Sequence, residues 1–217
     1  MFEAIMELTK VVTGDGSLTF YNGAYGETYH SISGAEEEAI KKYSEACHEQ
    51  LQRNIRILEV CFGLGYNTAA ELDRAQGTIE IVGLENDEVI LQKIQELSPR
   101  FETYSLIKQC AQKKGRAITE KKVTLKILFG DARETIKQLN KDYFDVVFFD
   151  PFSPKKCPEL WTEEFFKEVC RVMKKGGVLT TYSCAAAVRE NMRKAAFAVK
   201  DGPCVGRNAP GTIAVKK

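Results

Sequence analysis

Asp150-Pro151-Phe152 is the stretch of this chain best suited to do chemistry. It closes an apolar run that starts at Phe144, so a carboxylate stands at the tip of a predicted strand. A proline-stiffened loop with an aromatic ring follows it. A carboxylate placed like this can accept a hydrogen bond from an amine, orient its lone pair and take its proton. The other reading of an Asp-Pro pair at a strand end is a plain turn.

An amine needs an electrophile aligned with it, and a second strand end points to one. Ile55–Val60 reads as a β-branched strand with Glu59 near its tip. The turn Gly63-Leu64-Gly65 follows, and a helical pattern starts at Tyr66. In open α/β sheets ligands bind beyond the carboxyl ends of the strands, where glycine lets backbone approach them closely. The third glycine of the dinucleotide fingerprint is missing, because Thr68 stands in its place. An acid at Glu59 suits the ammonium and sulfonium of S-adenosylmethionine better than a pyrophosphate. Glu85-Asn86 closes the next strand, Thr78–Leu84. An acid there binds ribose hydroxyls in dinucleotide and nucleoside sites alike, so Glu85 alone does not discriminate. Gly130-Asp131-Ala132 follows Val123–Phe129, where Asp131 can accept from an adenine amino group, cap the next helix, or do both. The expected cofactor site is Tyr29, Glu59, Gly63, Leu64, Gly65, Asn67, Thr68, Glu85, Asn86, Asp131 and Ala132. His30, in an aromatic loop, can line the pocket; His48 belongs to a polar helix surface, and neither has a catalytic partner.

The elements that must position these residues alternate regularly. Val11 to Tyr21 reads as a hairpin around Gly14-Asp15-Gly16, and an aromatic loop runs from Asn22 to His30. Ser33 with Glu36 reads as a capping box opening a helix to about Gln50. Strands are predicted at Ile55–Val60, Thr78–Leu84, Val123–Phe129, Phe144–Asp150 and Val178–Tyr182. Helices are predicted at Tyr66–Ala75, Asp87–Leu97, Ala132–Leu139, Thr162–Met173 and Ala185–Ala195. Such alternation means an α/β fold with a mostly parallel sheet covered on both faces. Phe197–Lys200 and Thr212–Lys216, with no helix between them, predict a C-terminal antiparallel hairpin that adds one antiparallel member. Tyr104 to Thr119 reads as a helix-containing insertion. This is the pattern of a Rossmann-like class I methyltransferase, with residues 1–34 as a hairpin-and-loop appendage and 35–217 as the catalytic domain.

The 217 residues are 44% hydrophobic and 28% charged, a globular composition with no run of membrane length. The first residues carry acids where a signal peptide carries bases, so a cytoplasmic protein is expected. Seven cysteines form no CxxC pair, which argues against a disulfide framework or a zinc site. Cys61, Cys170 and Cys184 read as small buried hydrophobes. The net charge is only +1, but Lys108, Lys113, Lys114, Arg116, Lys121, Lys122 and Lys126 crowd one stretch. That stretch is either a solvated face or a phosphate-binding patch.

The stretch from Asp150 to Trp161 resembles the signature of the MnmC methyltransferase family, Asp-(Gly/Pro)-Phe-x-Pro-x-(Lys/Arg)-Asn-Pro-x-(Leu/Met)-Trp. Tyr25–Ala35, Glu59–Gly65, Gly130–Arg133, Gly177–Ser183 and Gly206–Ala214 extend the resemblance over almost the whole chain. The Asp150 loop also resembles the (Asn/Asp)-Pro-Pro-(Tyr/Phe) loop of exocyclic-amine methyltransferases, which implies that Phe152 stacks on the acceptor base. The resemblance implies S-adenosylmethionine as donor and the 5-aminomethyl group of the wobble uridine of tRNA as acceptor. Asp150 and Phe152 would then be catalytic, and the anticodon arm the partner of Trp161, Lys155, Lys156, Lys113 and Lys114. Trp161 serves equally as a packing residue. Cys157 stands where the family has Asn. The oxidase domain of bifunctional members has no counterpart here, so neither FAD nor a metal is expected. Two other readings remain: methyl or aminopropyl transfer to a small free amine, and a non-catalytic RNA-binding module.

Overall fold

The computed structural model describes residues 8–50, 54–113, 115–206 and 208–217, without the side chains of 48–50. Strands β1 (Leu8–Val12) and β2 (Leu18–Asn22) form the expected hairpin, and β3 (Glu27–Thr28) adds a short third strand. Helix α1 (Ala35–Glu38) runs on through a wider-coiled turn at Ala39–Ser44 and tighter turns at Glu45–Gln50. Its cap differs from the expected Ser33 box. Ser33 faces Ser31, and Glu36 turns away to pair with Arg100 at 2.6 Å. The free N–H groups of a first turn need acceptors. Here Ser17 Oγ takes those of Ala35 (3.1 Å) and Glu36 (3.3 Å), and Asp15 Oδ2 takes that of Glu37 (3.0 Å). The hairpin turn therefore caps the helix, which ties the appendage to the main body.

The main sheet is built from β4 (Ile55–Val60), β5 (Ile79–Glu85), β6 (Ile118–Glu120), β7 (Val123–Phe129), β8 (Phe144–Phe149), β9 (Met173–Thr181), β10 (Phe197–Cys204) and β11 (Pro210–Lys216). In space they run β10-β11-β9-β8-β4-β5-β7-β6. The five central strands from β9 to β7 are parallel, and β11 is antiparallel to both its neighbours. A second antiparallel strand, β6, hides in the 104–119 insertion behind α4 (Tyr104–Gln112) and pairs with β7. Three residues are too few to show a period, so pattern alone could not find it. Strand β9 also starts earlier than predicted, at the residue after helix α6 (Glu163–Val172), with no loop between.

Alternate residues serve opposite faces, as a doubly covered sheet requires. Ile55, Ile57, Ile81, Val146 and Phe148 pack under α2 (Tyr66–Arg74), α3 (Glu88–Lys93), α4 and the hairpin's Phe20. Leu58, Val60, Val147 and Phe149 pack under α5 (Ala132–Thr135), α6 and α7 (Ala186–Lys194). Each fully buried Phe or Leu contributes about 1.5–3 kcal/mol. The strand order reverses between β4 and β8, and a crevice opens beyond their carboxyl ends, the usual place for a ligand in an open α/β sheet.

Candidate active site

A cavity of about 600 Å³ occupies that crevice. Its floor is the ends of β4, β5, β7 and β8; its cover is the 25–32 loop and the β10–β11 turn at Val205 and Gly206. One wall carries Gly63, Glu85, Asn86, Asp131 and Ala132; the other carries Glu38, Lys42, Asp150 and Tyr182.

The first wall is made largely by backbone. Gly63 (φ 53°) and Gly65 (φ 74°) are both left-handed, a conformation that favours glycine. Gly63 faces the cavity, and a Cβ there would narrow it toward the Tyr29 ring, 3.5 Å away. Gly65 serves packing instead, because a Cβ there would stand 2.6 Å from Ile107 of α4. Glu85 clamps the turn: its Oε2 accepts from Gly63 N (2.7 Å), and its Oε1 from Asn86 N and Asp87 N (2.8 Å each). Burial pushes the Glu85 carboxyl up, against those three N–H groups. Asp131 caps α5 through Arg133 N (2.8 Å) and pairs with the Arg133 guanidinium, while also lining the cavity. Tyr29 donates to Asp87 (2.6 Å) and meets Phe152 edge-on.

The second wall is made by side chains from distant elements. Asp150 Oδ1 accepts from the Tyr43 hydroxyl, and Oδ2 from Asn67 Nδ2 at 3.0 Å. Burial, helped by the Glu38 charge, pushes its carboxyl up to about 7, with Tyr43, Asn67 and Lys42 pulling the other way. Lys42 and Glu38 form a buried ion pair at 2.7 Å. His30 does line the cavity, stacked on Tyr66 at 4.8 Å, and burial pushes it down to about 4.

Several expected site residues lie elsewhere. Glu59 is fully buried below the floor, where Thr68 donates to it and its Oε1 has no partner. Burial pushes it up to about 8, so it does not meet the cavity as the charge that the sequence set against a bound cation. Leu64, Gly65, Asn67 and Thr68 support the wall from behind. Trp161, 3% exposed, has no face for a base; its Nε1 donates to Phe152 O at 2.9 Å, which fixes the loop. Phe152 is already stacked by Tyr25, 4.4 Å away. Lys155 and Lys156 are exposed on the same loop but do not line the cavity. Lys113 flanks a separate shallow dent with Arg116, and Lys114 lies outside the described residues. Lys121 and Lys122 occupy the β6–β7 turn, at the end of β7 opposite the cavity, so the basic stretch is not one patch at its mouth. Cys170 is buried as expected, whereas Cys61 and Cys184 are only half-buried and Cys61 lines the cavity beside Cys157.

Tyr43, Glu38, Lys42, Tyr25 and Tyr182 were missed by sequence reasoning. Only Tyr25, in the aromatic loop, and Tyr182, at the end of a predicted strand, carried a signal. Among the described residues no cluster of His, Cys, Asp and Glu is arranged to hold a metal ion, and no helix is long and apolar enough to cross a membrane.

A mostly parallel sheet, a glycine turn at its switch point and a held carboxylate opposite define an α/β enzyme that brings a nucleoside-type donor to an acceptor. Residues 93–217 match the model of an S-adenosyl-L-methionine-dependent methyltransferase family. Across 98% of its length the chain superposes on the crystal structure of MnmC2 from Aquifex aeolicus, with a TM-score of 0.81, 31% identity and 71% of that chain covered. It belongs to the S-adenosyl-L-methionine-dependent methyltransferases of the MnmC type. An uncharacterized protein of Methanocaldococcus jannaschii is 33% identical over 97% of this chain and 60% of that protein. The tRNA 5-methylaminomethyl-2-thiouridine biosynthesis bifunctional protein MnmC of Azoarcus is 28% identical over 87% of this chain. The chain spans only 32% of that protein's length. The cavity fits such a donor: its volume is that of a cofactor pocket, Gly63 leaves its wall open, and acids stand at two strand ends.

Proposed function

We propose that this protein methylates the 5-aminomethyl group of the wobble uridine of tRNA, giving 5-methylaminomethyl-(2-thio)uridine. The observation that carries this reading is Asp150, a carboxyl deep in the cavity, held on both oxygens and lifted to about 7. An alkylamine arrives largely as an ammonium, which has no lone pair to attack with. An ordinary carboxylate, near 4, is a weak base for it. At about 7 Asp150 takes that proton more readily and holds the neutral nitrogen toward the opposite wall. Asp150 then passes the proton to water, and the product leaves as a secondary ammonium. S-adenosyl-L-methionine, when bound, supplies an electrophilic methyl group on a sulfonium. Gly63, Glu85, Asn86, Asp131 and Ala132 would hold it on the first wall. Alignment of amine and methyl supplies much of the remaining acceleration.

The bifunctional MnmC relatives, named for tRNA 5-methylaminomethyl-2-thiouridine biosynthesis, support tRNA as the acceptor. Single-stranded anticodon bases can be splayed out, and the exposed Lys155 and Lys156 are suited to the neighbouring phosphates. A second reading, transfer to a small free amine, draws support from the basic stretch lying partly away from the cavity. Mass spectrometry of wobble nucleosides, after incubation of undermodified tRNA with the donor, tests the proposal. Wild type should add one methyl, and Asp150→Ala should slow this by about 10²–10⁴-fold. Undiminished methylation in the variant removes the role given to Asp150. Methylation of added polyamines but not of tRNA favours the second reading.

A further inference from the structure

Two charged side chains line the acceptor wall beside the carboxyl that methyl transfer uses. Lys42 and Glu38 lie one turn apart on the helix that opens at Ala35, 2.7 Å from each other, with side chains 4% and 8% exposed. Burying such a pair is costly unless geometry and further contacts offset it. Both are held in place: Glu38 Oε2 accepts from Ser31 N at 2.7 Å, and Thr180 Oγ1 donates to Lys42 O at 2.7 Å. The next residue, Tyr43, holds Asp150, so one helix sets the positions of all three groups. Each also has capacity to spare. Lys42 has two donor protons beyond the one on Glu38, and the Glu38 carboxylate has lone pairs beyond its two contacts.

A uracil ring presents, in order along one edge, its C5 substituent, the O4 acceptor and the N3–H donor. With the C5 arm at Asp150, its neighbours must supply a donor and then an acceptor. Lys42 and Glu38 are a donor and an acceptor, both on the cavity wall beside Asp150. Cytosine presents the reverse, an amino donor at C4 and an acceptor at N3. Its amino group would meet the ammonium and its N3 the carboxylate, leaving buried groups without partners.

We propose that Lys42 and Glu38 read the Watson–Crick edge of the target pyrimidine, Lys42 donating to O4 and Glu38 accepting from N3–H, so that the site selects uracil over cytosine. This rests on the reading of the site as one that methylates a pyrimidine-borne aminomethyl group. It gives the pair a role in specificity beside its electrostatic influence on the base, Asp150.

The test uses the full chain, S-adenosylmethionine and two anticodon stem-loops, one with 5-aminomethyluridine and one with 5-aminomethylcytidine at the wobble position. Wild type should prefer the uridine by about a hundredfold or more in kcat/KM. Lys42→Met and Glu38→Gln should each reduce that preference by about tenfold or more. Donor affinity by calorimetry should stay within about threefold of wild type, showing an intact fold. Equal losses on both RNAs in both variants make the pair merely structural and overturn the proposal. A wild type active on the uridine but without preference overturns it too, and leaves the proposed function standing. A wild type that binds donor yet methylates neither RNA overturns the function, and this proposal with it.

Discussion

The two walls of the cavity are built by different means. The glycine-turn wall is local: Gly63 and Glu85, 22 residues apart, meet through backbone N–H groups. The Asp150 wall is assembled from far apart: Tyr43 reaches Asp150 across 107 residues and Asn67 across 83. The first wall thus depends on backbone conformation, and the second on side chains whose neighbours only the fold supplies. Damage to the first should appear as lost stability or donor binding. Damage to the second should appear in the rate and its pH dependence.

The largest effect that would break this contrast is expected at Gly65. Gly65→Ala forces a side chain into a left-handed conformation 2.6 Å from Ile107. It should cost about 2–4 kcal/mol in urea-induced unfolding. A stable Gly65→Ala with normal kinetics would show that the turn does not depend on glycine.

Tyr43→Phe should leave the first wall intact and sharpen the contrast. It removes a donor that favours the ionised Asp150, so the carboxyl should rise further above about 7. Because the ionised form is the active base, activity is lost as pH falls through that value, and the midpoint should move to higher pH. Single-turnover rates from pH 6 to 9 should show this shift, with about a tenfold loss near neutrality. A uniform loss at every pH would contradict it.

A last effect concerns the floor between the walls. Burial lifts Glu59 to about 8, so the folded state holds a proton that the unfolded chain gives up near 4.5. Stability should therefore fall as pH rises from about 4.5 to 8, where the unfolded state binds fewer protons. Glu59→Gln should flatten that slope in melting temperature. Glu71, lifted to about 7 by its own burial, should leave a residue of it. An unchanged slope would mean that Glu59 ionises normally.

Most of the fold was legible because strands and helices announce themselves by period and glycine. The misses were of another kind. Ser33 carried a sound local cap signal, but Ser17 and Asp15 arrived from another element and took its place. Glu59 read as the partner of a bound cation because a strand tip is only a place along the chain. Its depth depends on what covers it. Trp161 could be read as a stacking platform or as a prop, and its bond to Phe152 O decides for the prop.

What the amino-acid order determined by itself was the alternation of strands and helices, the left-handed glycine turn and the acids at four of the strand ends. These follow from conformational preferences that act over a few residues. What only the tertiary structure decided was which acid faces the cavity, which is buried beneath it, and that Tyr43, Lys42 and Glu38 gather around Asp150. Proton affinity and hydrogen-bond partnership depend on burial and on neighbours many residues away, and no local pattern encodes either.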